Sequence, residues 1–403
     1  MRLTTTFILM TVVIDSMGIG LILPVMPALL REIGDIPLAD AALWGGVLST
    51  VFAVMQFGFG PIVGALSDRF GRRPVLLVSL FVMALDYIVM ALAQTFWLLL
   101  AGRIVGGITA ATQSTASAAM ADLSKPEEKA ARFGLIGAAF GLGFVFGPLL
   151  GGLLAEFGTR APFYAAAALA GLNMILGYFV MPETVTDANR RPLTRERTDP
   201  LGASKNVGLK PELRMLLILF FFYQVAFNVY PATWAYFTTE RFGWSERTIG
   251  LSLAAFGISM AIVQGGLIRL ILRWLGDRGT VIYGLIFNVF AFLVLAFVQN
   301  GAIALLFTPL TALGAVVTPA IQGIMSRQTS DDSQGELQGV LASAGALAMI
   351  ISPLMMTGVF AYFASQEGAL YLPGAPFLLS MMLMLVCMVV FRATLRMRNP
   401  DTD

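Results

Sequence analysis

Three charged side chains interrupt segments of this sequence that are otherwise apolar. Asp15 lies in the segment FILMTVVIDSMGIGLILPVMPALL, Asp86 lies in a second apolar segment, and Arg103 lies in a third. A charge in the middle of a membrane costs about 2.5–3.5 kcal/mol on insertion scales, so such residues are retained for a reason. One arginine cannot neutralise two acids. The pattern therefore predicts that at least one of the carboxylates exchanges a proton.

Two roles remain open for these three residues. Asp86 and Arg103 lie in neighbouring apolar segments and can form an ion pair that only joins two helices. In the other role, the acids bind a proton and a cationic substrate in a transport path. Asp15 is the better candidate for the proton-exchanging acid, because Asp86 has the nearer candidate partner.

The apolar segments are long enough and numerous enough to make lipid the solvent of this protein. Of its 403 residues, 57% are hydrophobic and 12% are charged, and the mean hydropathy is +0.80. Soluble domains carry about 25% charged residues, and a membrane-spanning helix needs about 20 apolar residues. We predict an all-α membrane protein with twelve spans, at about 5–30, 43–66, 74–93, 96–120, 131–155, 162–181, 213–237, 248–272, 279–298, 301–325, 337–362 and 372–392.

The composition also excludes several kinds of chemistry. The sequence contains no histidine and one cysteine, Cys387. Imidazole proton relays, histidine-bound metals and an intramolecular disulfide are therefore excluded. We expect no enzyme activity, no metal site and no resident cofactor.

Positive charge is distributed unevenly along the chain. Most of the 26 Lys and Arg residues lie at the termini and in the loops that follow even-numbered spans. Because such residues accumulate on the cytoplasmic side, both termini are predicted to lie in the cytoplasm, and the protein in the inner (cytoplasmic) membrane.

One long polar segment divides the chain into two halves. Residues 183–212 are rich in Pro, Gly and Arg and lack apolar periodicity, which predicts a cytoplasmic linker between six-helix bundles at 1–182 and 213–403. The halves resemble each other at an offset of 205 residues, with Gly147-Pro148 opposite Ser352-Pro353. Repeated halves are typical of transporters in which two bundles alternate access to a site near the membrane midplane.

Two motifs identify a family. The loop GALSDRFGRRPVLL after span 2 resembles the signature loop of the major facilitator superfamily. The segment GAAFGLGFVFGPLLGG on span 5 resembles the glycine-rich motif of antiporters in that superfamily. The resemblance implies a gating role for Gly64, Asp68, Arg69, Gly71 and Arg72, and a moving helix interface at Gly137, Gly141, Gly147, Pro148 and Gly151.

Four longer segments narrow the resemblance to the tetracycline–proton antiporters: DSMGIGLILPVMP, SDRFGRRPVLLVSL, RFGWSERTIGLSLAAFGI and QGELQGVLASAGALAMIISPL. Members of that family exchange a magnesium–tetracycline cation for a proton. The resemblance implies that substrate and proton contacts involve Asp15, Gln56, Asp86 and Arg103. In the second half, Gln224 and Asn228 mark span 7 as facing something polar.

The sequence departs from this family at two positions of the second half. Met260 stands on span 8 where family members carry a histidine, and Asn288 stands on span 9 where they carry an aspartate. The loop after span 8 also lacks an acid at the position that matches Asp68. Proton coupling is therefore expected to depend on Asp15 and Asp86 alone.

The function predicted from these features is proton-coupled efflux of a drug-like amphiphile, with tetracycline or a related cation or zwitterion as substrate. The alternative within the superfamily is an exporter of another drug or metabolite that does not recognise tetracycline. A membrane receptor is disfavoured because the longest loop is too short for a signalling domain. The expected partners are the small-molecule substrate, which can be a metal chelate, the proton and the lipid bilayer. We expect no nucleic acid and a monomer.

Overall fold

The computed structural model describes residues 2–187, 190–194, 198–199, 211–330, 333–365 and 370–398, and these residues are mostly helical. Long apolar segments become helices because a helix satisfies every backbone polar group within lipid. The α-helices, numbered in chain order, are α1 (Arg2–Ile22), α2 (Met26–Gly34), α3 (Leu38–Phe70), α4 (Arg72–Leu92), α5 (Phe96–Ile108), α6 (Thr112–Asp122), α7 (Lys129–Leu154), α8 (Ala161–Val180), α9 (Pro211–Phe227), α10 (Val229–Phe242), α11 (Glu246–Ile262), α12 (Ile268–Phe297), α13 (Gly301–Thr311), α14 (Val317–Arg327), α15 (Gln334–Ala364) and α16 (Ala375–Arg398).

Ten helical segments of the described chain are long and apolar enough to cross a membrane. One of them, Glu246–Phe297, has 52 residues, enough for two crossings, and its backbone leaves helical geometry at Gly276. The predicted span 4 is missing from the ten because it is divided into α5 and α6, which have 13 and 11 residues. Counting Glu246–Phe297 as two spans and adding span 4 turns the ten segments into the twelve predicted spans.

Four of the twelve spans are interrupted near their middle or end. The interruptions lie at residues 23–25, 109–111, 228 and 312–316, in spans 1, 4, 7 and 10. At an interruption a backbone carbonyl loses the N–H donor that regular helix would supply from four residues later. In three of the four interruptions the residue at that donor position is a proline, namely Pro27, Pro231 and Pro319. Proline has no backbone N–H and cannot donate to that carbonyl, so the helix breaks there.

A π-helical turn, Val263–Leu267, separates α11 from α12 in span 8. It contains Gly265 and Gly266, and a Cβ atom at either glycine would meet open space. In such a turn the backbone hydrogen bonds span five residues instead of four, and such turns are frequent at functional sites.

The chain divides into two compact units that are not continuous in sequence. Unit 1 comprises Met1–Pro37, Val51–Gly202 and Ser245–Ala254. Unit 2 comprises Leu38–Thr50, Ala203–Trp244 and Ala255–Asp403. Helices α3 and α11 therefore each contribute residues to both units. The domain boundaries predicted from the sequence remain a prediction, because much of the segment 183–212 lies outside the described residues.

Unit 1 is held together by close packing of α1 on α7 and of α4 on α8. Glycines of α7 allow the first contact, since a Cβ at Gly147 would lie 2.5 Å from the Met17 carbonyl oxygen and 2.8 Å from Gly20 Cα. Without a hydrophobic drive between helices in lipid, such small residues let backbones approach and gain van der Waals contact. Phe7 and Ile8 of α1 pack with Leu76 of α4 in the buried core beside this interface.

Unit 2 is built around α9, α12, α15 and α16, which pack on one another. The Ser352 hydroxyl of α15 donates to the Val225 carbonyl of α9 at 2.9 Å. A buried aromatic cluster fills this unit, with Tyr230 stacked on Phe256 at 5.1 Å between ring centroids and Trp234 fully buried nearby. Tyr230 and Trp234 of span 7 thus form core in this structure.

Candidate functional site

Asp86 and Arg103 form an ion pair inside unit 1, as the sequence suggested. Asp86 lies on α4 and is 6% exposed, while Arg103 lies on α5. The Arg103 guanidinium also donates to the Met90 sulfur at 3.0 Å and lies over the Phe52 ring, 5.0 Å from its centroid. The pair is therefore enclosed by apolar and aromatic groups that exclude water.

Two glycines of α5 make room for the Asp86 carboxylate. A Cβ at Gly102 would lie 2.7 Å from Asp86 Oδ1, and a Cβ at Gly106 would lie 2.7 Å from Asp86 Oδ2. The two glycines are four residues apart and so share one helix face. The sequence analysis missed their role, although the spacing around Arg103 in LLLAGRIVGGI is a signal that could have revealed it.

The buried ion pair is not fully satisfied. Asp86 Oδ1 and Arg103 Nε are both buried without a hydrogen-bond partner among the described residues. Buried polar atoms are nearly always hydrogen-bonded in native proteins. The described residues therefore leave one atom of each partner without a hydrogen bond.

Asp15 has different surroundings from Asp86. It is half-buried on α1, interacts with the Thr112 side chain, and forms no ion pair within the described chain. Thr112 is the first residue of α6, directly after the interruption of span 4. The half-helix α6 thus directs its N-terminal end, where the helix dipole is positive, toward this acid.

Tyr87 connects the surroundings of the two acids. It follows Asp86 on α4 and is 5% exposed, and a Cβ at Gly18, one turn after Asp15, would lie 2.9 Å from its Cζ atom. The hydroxyl end of Tyr87 therefore reaches α1 beside Asp15. The sequence analysis missed this residue, because a tyrosine in an apolar span is more often packing than function.

Gln56 lies on α3 and contacts the interruption of span 4. Its Nε2 atom donates to the Ala110 carbonyl at 3.3 Å, and the side chain is exposed. The Ala110 carbonyl lies within the gap between α5 and α6, where the regular helix bonds are lost. Gln56, Asp15, Asp86 and Arg103, all predicted as contacts for substrate or proton, lie in unit 1.

Asn288 makes the corresponding contact in unit 2. Its Nδ2 atom donates to the Gly314 carbonyl at 2.9 Å, inside the interruption of span 10, and to the Gly284 carbonyl at 2.8 Å. The Tyr223 hydroxyl donates to the same Gly314 carbonyl at 3.3 Å. Asn288 is fully buried, and its Oδ1 atom has no partner in the part of the chain that the structure describes.

The other predicted residues of unit 2 are Gln224, Asn228 and Met260, and Gln224 is linked to Asn288 through Thr318 and Tyr223. Gln224 Oε1 accepts a hydrogen bond from the Thr318 hydroxyl at 3.4 Å. Asn228 is the interruption of span 7 itself, and its backbone N–H donates to the Gln224 carbonyl at 3.1 Å. Met260 is half-buried, three residues before the π-helical turn.

The loop between spans 2 and 3 carries a compact charge cluster. Asp68 lies 2.5 Å from Arg72 Nη1, and Arg72 Nε lies 3.2 Å from Asp122 Oδ2 at the end of α6. The Arg72 guanidinium also donates to the Ser67 hydroxyl at 2.6 Å. This arrangement joins the loop to span 4, and the role of Asp122 was not recognised from the sequence.

A tight turn places this cluster. Gly71 adopts φ +114°, a conformation that L side chains rarely reach, and the Glu183 carboxylate lies against it. Glu183 accepts hydrogen bonds from the backbone N–H groups of Arg72 at 2.8 Å and Arg73 at 3.3 Å, which satisfies the start of α4. Gly64 faces open space, and Arg69 is exposed over the Phe70 ring.

The predicted antiporter glycines fall into two groups. Gly147 and Gly151 lie against the backbone of α1, and Pro148 lies against Gly20. A Cβ at Gly137 or Gly141 would meet nothing within 4 Å. Only the first group is required for helix packing in this structure.

Comparison with known proteins agrees with the fold and with these motifs. A family model described as the Major Facilitator Superfamily matches residues 8–353 and, in a second match, residues 215–402. The class C tetracycline resistance protein of Escherichia coli is 42% identical over 386 residues, which cover 96% of this chain and 95% of that protein. The class E protein of Escherichia coli is 38% identical, with 91% and 90% covered.

Solved structures give the same result for the fold. The human organic anion transporter MFSD10 (TETRAN) superposes with a TM-score of 0.71 at 26% identity, covering 97% of this chain and 99% of that chain. The nucleoside transporter NupG superposes with a TM-score of 0.77 at 11% identity, covering 98% of this chain and 100% of that chain, and this similarity concerns the fold alone.

The family model covers most of the chain, its relatives match nearly end to end, and the helical segments are those of a multi-pass membrane protein. The chain therefore belongs to the Major Facilitator Superfamily, with tetracycline resistance proteins among its relatives, and is a transporter rather than an enzyme.

Proposed function

We propose that the chain is a proton-coupled exporter of tetracycline or of a closely related cationic or zwitterionic amphiphile. The observation that carries this proposal is the contrast between the two intramembrane acids of unit 1. Asp86 is held by Arg103, whereas Asp15 forms no ion pair within the described residues. An unpaired carboxylate in a membrane span can alternate between binding a proton and binding a cation. The 42% identity with the class C tetracycline resistance protein supports the choice of substrate.

The charge of the predicted site favours a cation or zwitterion. With both acids ionised, Asp15, Asp86 and Arg103 sum to one negative charge. A substrate that carries a positive charge, or a metal chelate that supplies one, replaces the proton on Asp15. The metal in such a chelate is part of the substrate, so the protein needs no resident cofactor.

The residues of unit 2 have a different task in this proposal. Gln224, Asn228, Met260 and Asn288 carry no charge, and they offer amide hydrogen bonds and a polarizable thioether instead. These groups suit the hydroxyl, amide and ring atoms of an amphiphile. Proton coupling then depends on unit 1.

The transport cycle follows from exchange at Asp15. Substrate binds while Asp15 is ionised, and its release on the far side of the membrane lets Asp15 take up a proton. Return of the protonated carrier and release of the proton then reset it. We further propose that both termini lie in the cytoplasm and that the membrane is the inner one, on the distribution of Lys and Arg. We propose a monomer because twelve spans are enough to form one transport pathway.

The substrate is tested by uptake of radiolabelled tetracycline into everted membrane vesicles that contain the chain. We expect accumulation at least fivefold above vesicles without the protein, lost when a protonophore is added. Accumulation that persists with the protonophore would contradict proton coupling. Uptake of another cationic drug without uptake of tetracycline would contradict the substrate assignment.

A further inference from the structure

The second half of the chain contains an ion pair at the positions that match the Arg72–Asp122 pair of the first half. Asp277 lies 205 residues after Arg72, and Arg327 lies 205 residues after Asp122. Asp277 and Arg327 form an ion pair within unit 2. The charges of the two partners are exchanged relative to the first half.

The offset of 205 residues corresponds to repeated structure, which makes this match more than a coincidence of sequence. The interruption of span 1 at Leu23 corresponds to that of span 7 at Asn228, and the interruption of span 4 at Ala110 corresponds to Ala315 in span 10. A contact repeats as well. Gly147 lies against Gly20 in unit 1, and Ser352, at the matching position, donates to Val225 in unit 2.

The two loops share their turn geometry. Gly71 precedes Arg72 with φ +114°, and Gly276 precedes Asp277 with φ +65°. In each half the second partner ends a half-helix, because Asp122 is the last residue of α6 and Arg327 is the last residue of α14. Each pair therefore joins the loop after the second span of its half to the end of the fourth span.

The exchange of charge extends to a third position. Asp68 contacts Arg72 at 2.5 Å in the first half, and its match in the second half is Arg273. At these three matching positions the first half thus has acid, base and acid, where the second half has base, acid and base. The acid missing at position 273 is explained by this reversal, since the acid of the second loop stands at position 277.

Plain membrane anchoring does not account for Asp277. Anchoring requires only basic residues, and this loop already has Arg273 and Arg278. Arg327 at the end of α14 is already stabilised by the negative end of the helix dipole, so it does not require Asp277 as a partner. The pair is also more exposed than its counterpart, with 58% and 39% of the two side chains accessible against 12% and 18%. Exposed pairs contribute little to stability, so a role in positioning the loop explains it better.

We propose that Asp277 and Arg327 are positioning residues that hold the loop between spans 8 and 9 against span 10 and that transport requires this contact, with the charge order of the first half reversed. The proposal rests on the proposed function only for its choice of tetracycline as the transport probe.

The test uses Asp277→Arg, Arg327→Asp and the combined exchange, in everted vesicles matched for the amount of protein in the membrane. Each single reversal brings like charges together, so we expect at least a fivefold fall in the initial rate of tetracycline uptake. The combined exchange restores opposite charges and should return the rate to within twofold of wild type. Arg278→Asp, an equal charge change in the same loop, is the control and should stay within twofold.

A second measurement needs no substrate. Trypsin cleavage in the loop between spans 8 and 9 is followed in purified Asp277→Asn and Arg327→Gln, and we expect it to be at least fivefold faster than in wild type. If the wild-type chain fails to take up tetracycline, the proposed function is wrong, and this cleavage rate still decides whether the pair holds the loop. Unchanged cleavage in both variants, single reversals with wild-type uptake, or a combined exchange no better than either single would overturn the proposal.

Discussion

Two carboxylates in the same unit have opposite surroundings. Asp86 is buried against Arg103 in a niche formed by Gly102 and Gly106, whereas Asp15 is half-buried, interacts with the uncharged Thr112 side chain and has no ion pair among the described residues. A buried ion pair is costly to break, because removing one partner leaves the other charge uncompensated. Asp86 is thus held in place, and Asp15 is the acid that the proposed function assigns to proton exchange.

Arg103→Ala should destabilise the protein strongly. The change leaves the Asp86 carboxylate buried without its cation, and breaking such a pair costs about 3–5 kcal/mol. Thermal unfolding in detergent measures the loss, and the double variant Asp86→Asn with Arg103→Gln, which removes both charges, should recover most of it. An Arg103→Ala protein as stable as wild type would show that the ion pair contributes nothing to the fold.

The three intramembrane charges were predictable from the sequence because their cost in lipid is high and their neighbours are apolar. The pairing of Asp86 with Arg103 was foreseen only as one of two roles. Tyr87 and Thr112 could not be predicted, since a tyrosine and a threonine cost little in a span and their function depends on which helix lies opposite.

Interrupted helices are the elements that place the polar residues. Span 4 is open at Ala110 and span 10 at Gly314, and in each case a side-chain amide from another helix donates to the freed carbonyl. Gln56 does so in unit 1 and Asn288 in unit 2. A freed carbonyl in lipid costs several kcal/mol without a partner, so each amide stabilises the gap in its own unit.

Asn288→Leu should weaken unit 2 while nearly preserving side-chain volume. The variant leaves the Gly284 and Gly314 carbonyls with one donor fewer, at 2.8 and 2.9 Å in the native contacts. The Gly314 carbonyl keeps the Tyr223 hydroxyl as a donor, so the cost is that of the lost hydrogen bonds, about 0.5–1.5 kcal/mol each, and the unfolding temperature should fall. Gln56→Leu is the comparison, and its effect should be smaller because Gln56 is exposed. An equal or larger effect of Gln56→Leu would contradict this account of the two gaps.

The glycines of α7 give a second test at the level of helices. Gly147→Ala places a methyl group against α1, and overpacking of this kind costs about 1–3 kcal/mol. Gly141→Ala, whose methyl group meets open space, should cost nothing measurable. The unfolding temperature and the rate of tetracycline uptake should both fall in Gly147→Ala. Both should stay at the wild-type level in Gly141→Ala. The reverse order would show that the open glycines, not the packed ones, are needed.

The twelve spans could be predicted from hydropathy, but the interruptions within them could not. Hydropathy reports the solvent around a helix, whereas an interruption depends on single lost hydrogen bonds. Pro27, Pro231 and Pro319 were visible signals for three gaps, yet Pro148 and Pro353 lie inside α7 and α15 without dividing them. Neighbouring helices decide which prolines break a span.

The whole molecule is a pair of related halves in which the chemistry has diverged. The helix interruptions and the loop ion pairs recur at an offset of 205 residues. Intramembrane charge does not recur, because Asp15, Asp86 and Arg103 match Phe220, Ala291 and Thr308. The repeat was visible in the sequence at a few Gly and Pro positions. The matched ion pairs were not, because opposite charges at equivalent positions look unrelated until their partners are known.

Proton coupling through Asp15 is the central claim, and substrate-driven proton release tests it most directly. Purified protein is placed in proteoliposomes with an acidic interior, tetracycline is added outside, and the external pH is recorded. We predict proton release by wild type and by Asp40→Asn, an exposed acid outside the predicted site, and none by Asp15→Asn. Full release by Asp15→Asn would contradict the account, because the proton would then have to travel by another group.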